Sequence, residues 1–230
     1  MNASAHPLDD VIWNALAGVH APLARGDDRA RRYRPEIAPF AAMREDSDEA
    51  RAALAALADP GEQVVTLGAP DFDPGPAFEV QGAKELVQMV CGDLRGQPRD
   101  LGRFVPLGDG DIAQMLSLVE LTQPGPFRER TIDFGGFRGH KPAGRLVAMG
   151  GRRMQLDGFT EVSGICTLPE YRGQGLARDL VLMLSRELLE SGKTPFLHAF
   201  SDNGPAIALY EQLGYVIRAR PHVIRLRRRG

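Results

Sequence analysis

The chain has 230 residues, 43% of them hydrophobic, which is enough to bury a core in one large domain or two small ones. Its 28 Lys and Arg residues nearly balance 30 Asp and Glu residues, so a nucleic-acid partner is not predicted. The two cysteines, Cys91 and Cys166, are too few for a disulfide framework, and we expect both to be reduced thiols in a cytoplasmic protein.

Targeting and membrane segments are not evident in the sequence. Residues Met1 to Pro7 lack the basic head and the apolar run of a signal peptide. No stretch approaches the roughly 18 apolar residues of a membrane-spanning helix. We therefore expect neither secretion nor a membrane partner.

The N-terminal part begins with two predicted helices. Apolar residues near helical spacing predict the first over residues 11–23, with Asp9 or Asp10 as its N-cap. The second, rich in Ala and Leu, is predicted over residues 50–58. The sequence Asp59-Pro60-Gly61 ends it, because proline and glycine do not continue a helix.

Strands and a linker are predicted to follow. Residues 63–68 form a short β-branched strand, and residues 78–90 are ambiguous between helix and strand. Residues 93–101 are polar, contain Gly96 and Pro98, and are interpreted as a linker. We therefore expect two domains, residues 1–95 and residues 102–230.

Elements become more regular after the linker. A helix is predicted over residues 109–122 and a strand over residues 131–136. Residues 144–149 form an apolar strand, and Gly150-Gly151 is interpreted as a turn into a further strand at residues 152–156. Residues 159–168 alternate partly between apolar and polar residues and are predicted to form the next strand.

The C-terminal third alternates helices and strands. The strongest helical pattern covers residues 175–191, and a second helix is predicted over residues 203–213. Residues 195–200 form the strand between them, and residues 215–219 and 222–226 are interpreted as a final strand pair. The fold class predicted is α/β (α+β), a mixed, mostly antiparallel sheet flanked by helices.

One glycine-rich segment at the predicted start of the 175–191 helix carries the clearest chemical signal. It reads Arg172-Gly173-Gln174-Gly175-Leu176-Ala177 and follows a predicted strand. Unpaired N–H groups and the positive end of the helix dipole favour an anion there. A dinucleotide fingerprint fails because Arg178 stands at its third glycine, and a P-loop fails because no Gly-Lys-Ser/Thr follows. A tight helix start without a ligand remains an alternative.

Two motifs resemble those of the GNAT acyltransferases. The glycine-rich segment satisfies the pyrophosphate-loop pattern [QR]-x-x-G-x-[GA] at every fixed position. Residues 203–215, Asn-Gly-Pro-Ala-Ile-Ala-Leu-Tyr-Glu-Gln-Leu-Gly-Tyr, are similar to the second hallmark of the family. The resemblance covers residues 102–230. In detail it is to the branch with glycine N-acyltransferase-like members, in which a diverged GNAT-like half can precede the catalytic half.

The resemblance implies an N-acyltransferase that uses acetyl-CoA or another short acyl-CoA and no metal. Its acceptor would be a small amine, an amino acid or a peptide, and a homodimer is one expectation for its assembly. The implied cofactor-binding residues are those of the glycine-rich loop, the strand along the pantetheine arm and one helix cap: Arg172, Gly173, Gln174, Gly175, Leu176, Ala177, Ile165, Cys166, Thr167 and Asn203.

The resemblance also implies two catalytic residues. Tyr210 matches the usual general acid of the family; the alternative is an ordinary tyrosine on an amphipathic helix. Glu161, eleven residues before Arg172, matches the general base of some members; the alternative is an exposed strand carboxylate. Cys166 as a nucleophile and His198 as a proton relay are weaker hypotheses. The other histidines lack the ligand spacing of a metal site: His20, His140 and His222.

Other function classes remain open on the sequence alone. A GNAT-like module that binds acyl-CoA without catalysis, for sensing or assembly, would retain the same loop. A modifier recruited to nucleic acid by the basic tail is a remote third class. The acceptor would be selected by loops such as residues 124–130 and 134–142, in which Arg128 and Arg130 are candidates to meet a carboxylate.

Overall fold

A computed structural model describes residues 6–230; residues 1–5, and with them most of the segment judged not to be a signal peptide, lie outside the described residues. The described residues form these helices and strands: α1 (Val11–Ala17), β1 (Ala24–Gly26), β2 (Ala30–Tyr33), β3 (Ala41–Met43), α2 (Asp48–Ala56), β4 (Gln63–Gly68), β5 (Phe78–Cys91), β6 (Phe104–Pro106), α3 (Ile112–Thr122), β7 (Arg138–His140), β8 (Ala148–Leu156), β9 (Phe159–Thr167), α4 (Leu176–Glu190), β10 (Thr194–Phe200), α5 (Gly204–Gln212), β11 (Tyr215–Ala219) and β12 (His222–Arg228).

The chain divides into two compact units. The first runs to Leu86 and includes Met154–Asp157 and Arg220–Gly230; the second comprises Val87–Arg153 and Gly158–Ala219. The boundary therefore falls inside β5, whereas the sequence suggested a linker at residues 93–101. Those residues lie within the second unit, and the C-terminal strand belongs to the first.

In its described residues, the first unit contains two α-helices and two sheets. One sheet has the order β1-β2-β3 and the other has β12 between β4 and β5. Helix α2 begins where the Ser47 side chain accepts a 3.2 Å hydrogen bond from the Ala50 backbone, and it buries Leu54. Helix α1 is shorter than predicted because the chain leaves helical geometry at Gly18, and Asp10 makes no side-chain cap.

The second unit is a mixed sheet with helices. Strand β5 lies between β11 and β10, and the order continues through β9, β8, β7 and β6. Strand β9 runs parallel to β10, while β11 is antiparallel to β5, and β7 is antiparallel to both β6 and β8. The predicted mixed, mostly antiparallel sheet flanked by helices is confirmed. Helix α4 buries Val181, Leu184 and Leu188 in one core with residues of β5, β9 and β10.

The two last strands do not pair with each other as predicted. Strand β11 pairs with residues 88–91 of β5, and β12 inserts between β4 and residues 78–85 of β5. The long strand β5, ambiguous in the sequence, provides separate partners for both. Sequence adjacency suggested a hairpin, but the pairing follows the available strand edges.

Gly150 and Gly151 do not form the predicted turn. They lie within the single strand β8, and the chain reverses at Asp157-Gly158, where Gly158 has a φ of +76°. A Cβ at Gly150 would lie 2.3 Å from Ile165 Cδ1, and one at Gly151 would lie 2.4 Å from Phe137 Cδ1. The two glycines are needed for close packing on opposite faces of the strand.

The predicted strand over residues 131–136 is also wrong. Residues Thr131–Phe134 form a 3-10 helix. Local bonds favour this tight turn: the Thr131 hydroxyl accepts a 2.7 Å hydrogen bond from the Arg128 backbone, and Arg130 pairs with Asp133. The strand of this region is instead β7, which the sequence did not indicate. Among residues 6–230, none of the helices is long and apolar enough to cross a membrane.

Candidate active site

The glycine-rich loop lies at the N-terminus of α4. Gly173 and Gly175 both have a φ of +76°, a conformation that glycine adopts without strain, and Gly175 is the N-cap of the helix. No side chain caps this end. In the described chain, backbone hydrogen bonds are donated by Arg172 and Asp179 but by none of residues 173–178. The loop therefore presents consecutive unpaired N–H groups at the positive end of a helix, as an anion site requires.

Two contacts fix this loop to the rest of the unit. Arg172 is exposed, and its Nε donates a 3.4 Å hydrogen bond to the carbonyl of Thr167 at the end of β9. Leu176 is buried in an apolar cluster with Leu180 and Phe104. The first turn of α4 is thus anchored by apolar packing, while Gly173 and Gln174 are exposed and Gly175 is half-buried.

The strand that precedes the loop has an irregular and partly unpaired course. Strand β9 pairs with β10 at positions 159–161 and 194–196. Gly164, with a φ of +66°, then interrupts its regular geometry. Ile165 is half-buried, and Cys166 and Thr167 are buried. In the described part of the chain, the Thr167 hydroxyl is buried without a hydrogen-bond partner, which marks a place for a ligand group.

These observations fit coenzyme A. Its pyrophosphate requires N–H donors and close backbone approach, which the α4 N-terminus and its left-handed glycines supply. Its extended arm requires hydrogen-bonding groups along a strand, which residues 165–167 supply past the last pair between β9 and β10. The orphaned Thr167 hydroxyl lies on that same stretch.

Helix α5 carries the two remaining predicted residues. Asn203 is its N-cap, and its side chain accepts a 3.3 Å hydrogen bond from the Ala206 backbone. Tyr210 packs against Tyr215 with 6.2 Å between ring centroids. Burial raises the pKa of Tyr210 to about 12. Within residues 6–230 the Tyr210 hydroxyl has no hydrogen-bond partner, whereas the Tyr215 hydroxyl contacts that of Ser185 at 2.6 Å. Tyr210 therefore keeps a proton that it can donate.

Glu161 is fully buried, so the expected alternative of an exposed carboxylate is wrong. It accepts hydrogen bonds from Arg153 Nε and Nη2 at 2.8 and 2.6 Å, and from His198 Nδ1 at 2.8 Å. Burial alone would raise the pKa of Glu161, but the charge of Arg153 and the hydrogen bonds from Arg153 and His198 hold it far below its usual range. A carboxylate stabilised in this way is a poor proton acceptor, which argues against the general-base role expected for it.

The Glu161 contacts continue into a row of side chains across five neighbouring strands. Gln88 Nε2 lies 3.1 Å from His198 Nε2, and Arg218 Nε donates a 2.6 Å hydrogen bond to Gln88 Oε1. Because Arg218 can only donate, the Gln88 amide nitrogen is the group that faces His198. His198 therefore accepts at Nε2 and donates from Nδ1 to Glu161. Sequence reasoning missed this row, since Gln88 and Arg218 lie 110 and 130 residues from their partners.

A narrow cleft of about 10 Å³ lies on the Phe137 side of β8. It is lined by residues 124–127 and Phe137, which belong to the two loops considered for the acceptor, together with Ser163 and Gly164 of β9. Phe127 and Phe137 meet edge to face with 5.7 Å between ring centroids. Of the two arginines considered for a carboxylate, Arg130 is paired with Asp109 and Asp133 and Arg128 is exposed.

Cys166, His140 and His20 supply no reactive group to the candidate site. Burial raises the pKa of the Cys166 thiol to about 11, so it is not a reactive thiolate. His140 Nδ1 contacts the Arg103 carbonyl at 3.0 Å, and His20 Nδ1 contacts the Tyr33 hydroxyl at 2.9 Å. No group of three or more metal-ligating side chains occurs among residues 6–230.

Comparison with known proteins gives matches in sequence and in structure. Residues 137–223 match the family model described as FR47-like protein. A protein from Novosphingobium aromaticivorans assigned to the GNAT family of acetyltransferases is 35% identical, with a TM-score of 0.90, and the match covers 98% of this chain and 100% of that one. No curated protein sequence matches the chain.

Two more distant structures share the fold. A GCN5-related N-acetyltransferase from Kribbella flavida is 18% identical with a TM-score of 0.63, covering 96% of this chain and 95% of that one. A GNAT-family acetyltransferase from Colwellia psychrerythraea is 15% identical with a TM-score of 0.51, covering 91% and 87%. None of these matches names the glycine N-acyltransferase-like branch, so that placement stays a prediction.

Proposed function

The chain belongs to the GNAT family of acetyltransferases, and we propose that it transfers an acetyl group from acetyl-CoA to a primary amine. The observation that carries the proposal is the N-terminus of α4, where unpaired N–H groups and two left-handed glycines follow β9 after one short 3-10 helix, Pro169–Tyr171. Acetyl-CoA supplies the activated acyl group. The protein supplies binding, orientation and a proton donor.

Cofactor binding is assigned to the loop and to the strand before it. The backbone N–H groups of residues 173–177 hold the pyrophosphate, and Arg172 adds positive charge beside it. Main-chain groups of Ile165 and Cys166 and the hydroxyl of Thr167 bind along the pantetheine arm. Asn203 caps α5 with its side-chain oxygen, which leaves its amide nitrogen for a contact with the cofactor.

Proton transfer is divided between Tyr210 and water. We assign Tyr210 as the acid that protonates the leaving thiolate, because its hydroxyl stays protonated at neutral pH and has no partner in the described chain. We assign no side chain as the base. Glu161 is held as a paired carboxylate and Cys166 as a thiol, so the proton of the amine passes to water in the cleft.

Several finer assignments belong to the same proposal. The acceptor is a small amine, an amino acid or a peptide, and it binds by opening the narrow cleft between residues 124–127 and Phe137. A cytoplasmic location is supported by two free, buried cysteines, Cys91 and Cys166. The N-terminal half, expected to be a diverged GNAT-like unit, and a homodimeric assembly are retained as proposals.

The proposal is tested by ligand-induced thermal stabilisation, followed by an assay of thiol release on a panel of amines. A ligand that binds only the folded state raises the melting temperature. Stabilisation by CoA together with thiol release on at least one amine supports the enzyme. Stabilisation without release on any amine favours the non-catalytic binding module, and no stabilisation contradicts the cofactor site.

A pair of glycine variants makes this test specific. Gly175→Glu places a carboxylate against the pyrophosphate, and we expect it to abolish stabilisation by CoA. Gly158→Glu is the matched control, because Gly158 has the same φ of +76° at the turn after β8. The control carries the same backbone strain and charge but should bind CoA normally.

A further inference from the structure

The segment interpreted as a linker, residues 93–101, is docked on α4. Arg178 Nη1 donates a 3.0 Å hydrogen bond to the carbonyl of Gln97, and Arg186 Nη2 donates a 2.7 Å hydrogen bond to that of Gly96. Positions 178 and 186 lie on one face of the helix. The segment thus runs along α4 within the second unit, and it is not a free tether.

Gly96 permits this close approach. Its φ is +95°, and a Cβ there would lie 2.7 Å from Arg178 Nη2 and 3.9 Å from Leu182 Cδ1. A larger residue would be strained at this φ, and its Cβ would displace the Arg178 guanidinium that binds the Gln97 carbonyl. The sequence Gly96-Gln97-Pro98 therefore allows the segment to pack against α4. The segment then continues towards the glycine-rich loop.

The docked segment brings Arg99 to that loop. A Cβ built on Gly175 would lie 3.3 Å from Arg99 Nη1 and 3.5 Å from its Cζ. Neighbouring arginines are engaged elsewhere, since Arg103 and Arg178 both pair with the buried carboxylate of Asp179. Arg99 is exposed and makes no hydrogen bond or ion pair with any described residue.

The exposed guanidinium of Arg99 adds positive charge to a position that already favours an anion. It stands beside the positive end of the α4 dipole and beside N–H groups that donate to no described backbone carbonyl. A phosphate between them would satisfy both, because a guanidinium offers a planar fork of donors that matches phosphate oxygens. The position of Arg99 is therefore suited to a phosphate that the loop already holds.

We propose that Arg99 binds a phosphate group of CoA and that residues 93–101 are part of the cofactor site. This inference rests on the proposed function. Arg99 lies 73 positions before Arg172 in the sequence, and neither motif contains it. The inference adds this charged residue to the loop. The phosphate is either the diphosphate or the 3′-phosphate of CoA, and the two are separable by experiment.

The test compares Arg99→Ala with Arg95→Ala in isothermal titration calorimetry. Arg95 is the matched control, because it lies in the same segment, its side chain is 67% exposed and its ion pair with Asp93 is loose, at 3.9 Å. We expect Arg99→Ala to weaken CoA binding about tenfold to a hundredfold, as loss of a charge-assisted hydrogen bond does. Arg95→Ala should bind like the wild type.

The same titrations with 3′-dephospho-CoA locate the contact. Equal weakening of both ligands by Arg99→Ala identifies the diphosphate, and weakening of CoA alone identifies the 3′-phosphate. Wild-type affinity for both ligands in Arg99→Ala overturns the inference but leaves the proposed function standing. Failure of the wild type to bind CoA contradicts the proposed function itself.

Discussion

His198 donates a 2.8 Å hydrogen bond from Nδ1 to Oε1 of Glu161, and both side chains are buried. The bond lies in the row of side chains that continues to Arg153 on one side and Gln88 on the other. Because of this bond, the Glu161 carboxylate already accepts a hydrogen bond, and His198 is held in one tautomer. The role of the pair is to hold β9 and β10 in position next to the proposed active site.

Replacing Glu161 should destabilise the fold. Glu161→Gln removes the buried carboxylate that pairs with the partly buried Arg153 guanidinium, and loss of one partner of a fully buried pair costs about 3–5 kcal/mol, which is an upper bound here. Urea denaturation at pH 7 measures the loss. Glu170→Gln is the control, because the Glu170–Arg145 pair is exposed and should contribute little. A folded Glu161→Gln enzyme that has lost turnover at full stability would restore the general-base role.

The stability difference between wild type and Glu161→Gln should depend on pH. The folded pKa of Glu161 is depressed, whereas in the unfolded chain it is about 4.3. Its contribution is therefore complete above the unfolded pKa and is lost as pH falls through the folded one. Denaturation at pH 7 and pH 3 should show a smaller gap between the two proteins at pH 3. A gap that widens in acid would contradict the depressed pKa.

Removing the Tyr210 hydroxyl should slow turnover and spare cofactor binding. Tyr210→Phe is expected to lower kcat by roughly tenfold to a thousandfold, with unchanged Kd for CoA, because a general acid acts in the transition state. Tyr215→Phe is the matched control. It loses the hydrogen bond to Ser185 and about 1 kcal/mol of stability, but should keep its kcat. Full activity of Tyr210→Phe would assign the proton donation to water.

Cys166 should be dispensable for the chemistry. Its pKa of about 11 means that the buried sulfur stays a thiol at neutral pH. We expect Cys166→Ala to retain turnover, and the wild type to resist alkylation by iodoacetamide at pH 8. Complete loss of activity in a Cys166→Ala protein with a normal melting transition would revive the covalent mechanism.

The two glycines of β8 should separate acceptor binding from stability. Gly151→Ala would displace Phe137 in the cleft, so KM for the amine should rise while Kd for CoA stays constant. Gly150→Ala faces Ile165 and Leu184 instead and should cost about 1–3 kcal/mol of stability through overpacking. Equal effects of the two variants on KM would contradict the assignment of the cleft.

The sequence by itself was sufficient to predict the helix and strands nearest the proposed cofactor site. Helix α4 has a repeating apolar face and begins at a glycine, and strands β9 and β10 are short and bounded by turn residues, so their limits follow from local patterns. The loop at residues 172–177 is likewise contiguous. Its left-handed glycines and unpaired N–H groups depend on neighbours only a few residues away.

Burial, strand pairing and side-chain contacts between distant residues were decided only by the tertiary structure. Glu161 was placed correctly on a strand, but its burial and its contacts with Arg153 and His198 arise from the alignment of neighbouring strands. Gly150 and Gly151 carry a turn-like sequence, yet side chains from other elements require them in a strand. Burial and long-range pairing override local propensity, because the free energy of packing exceeds the weak preferences of a short segment.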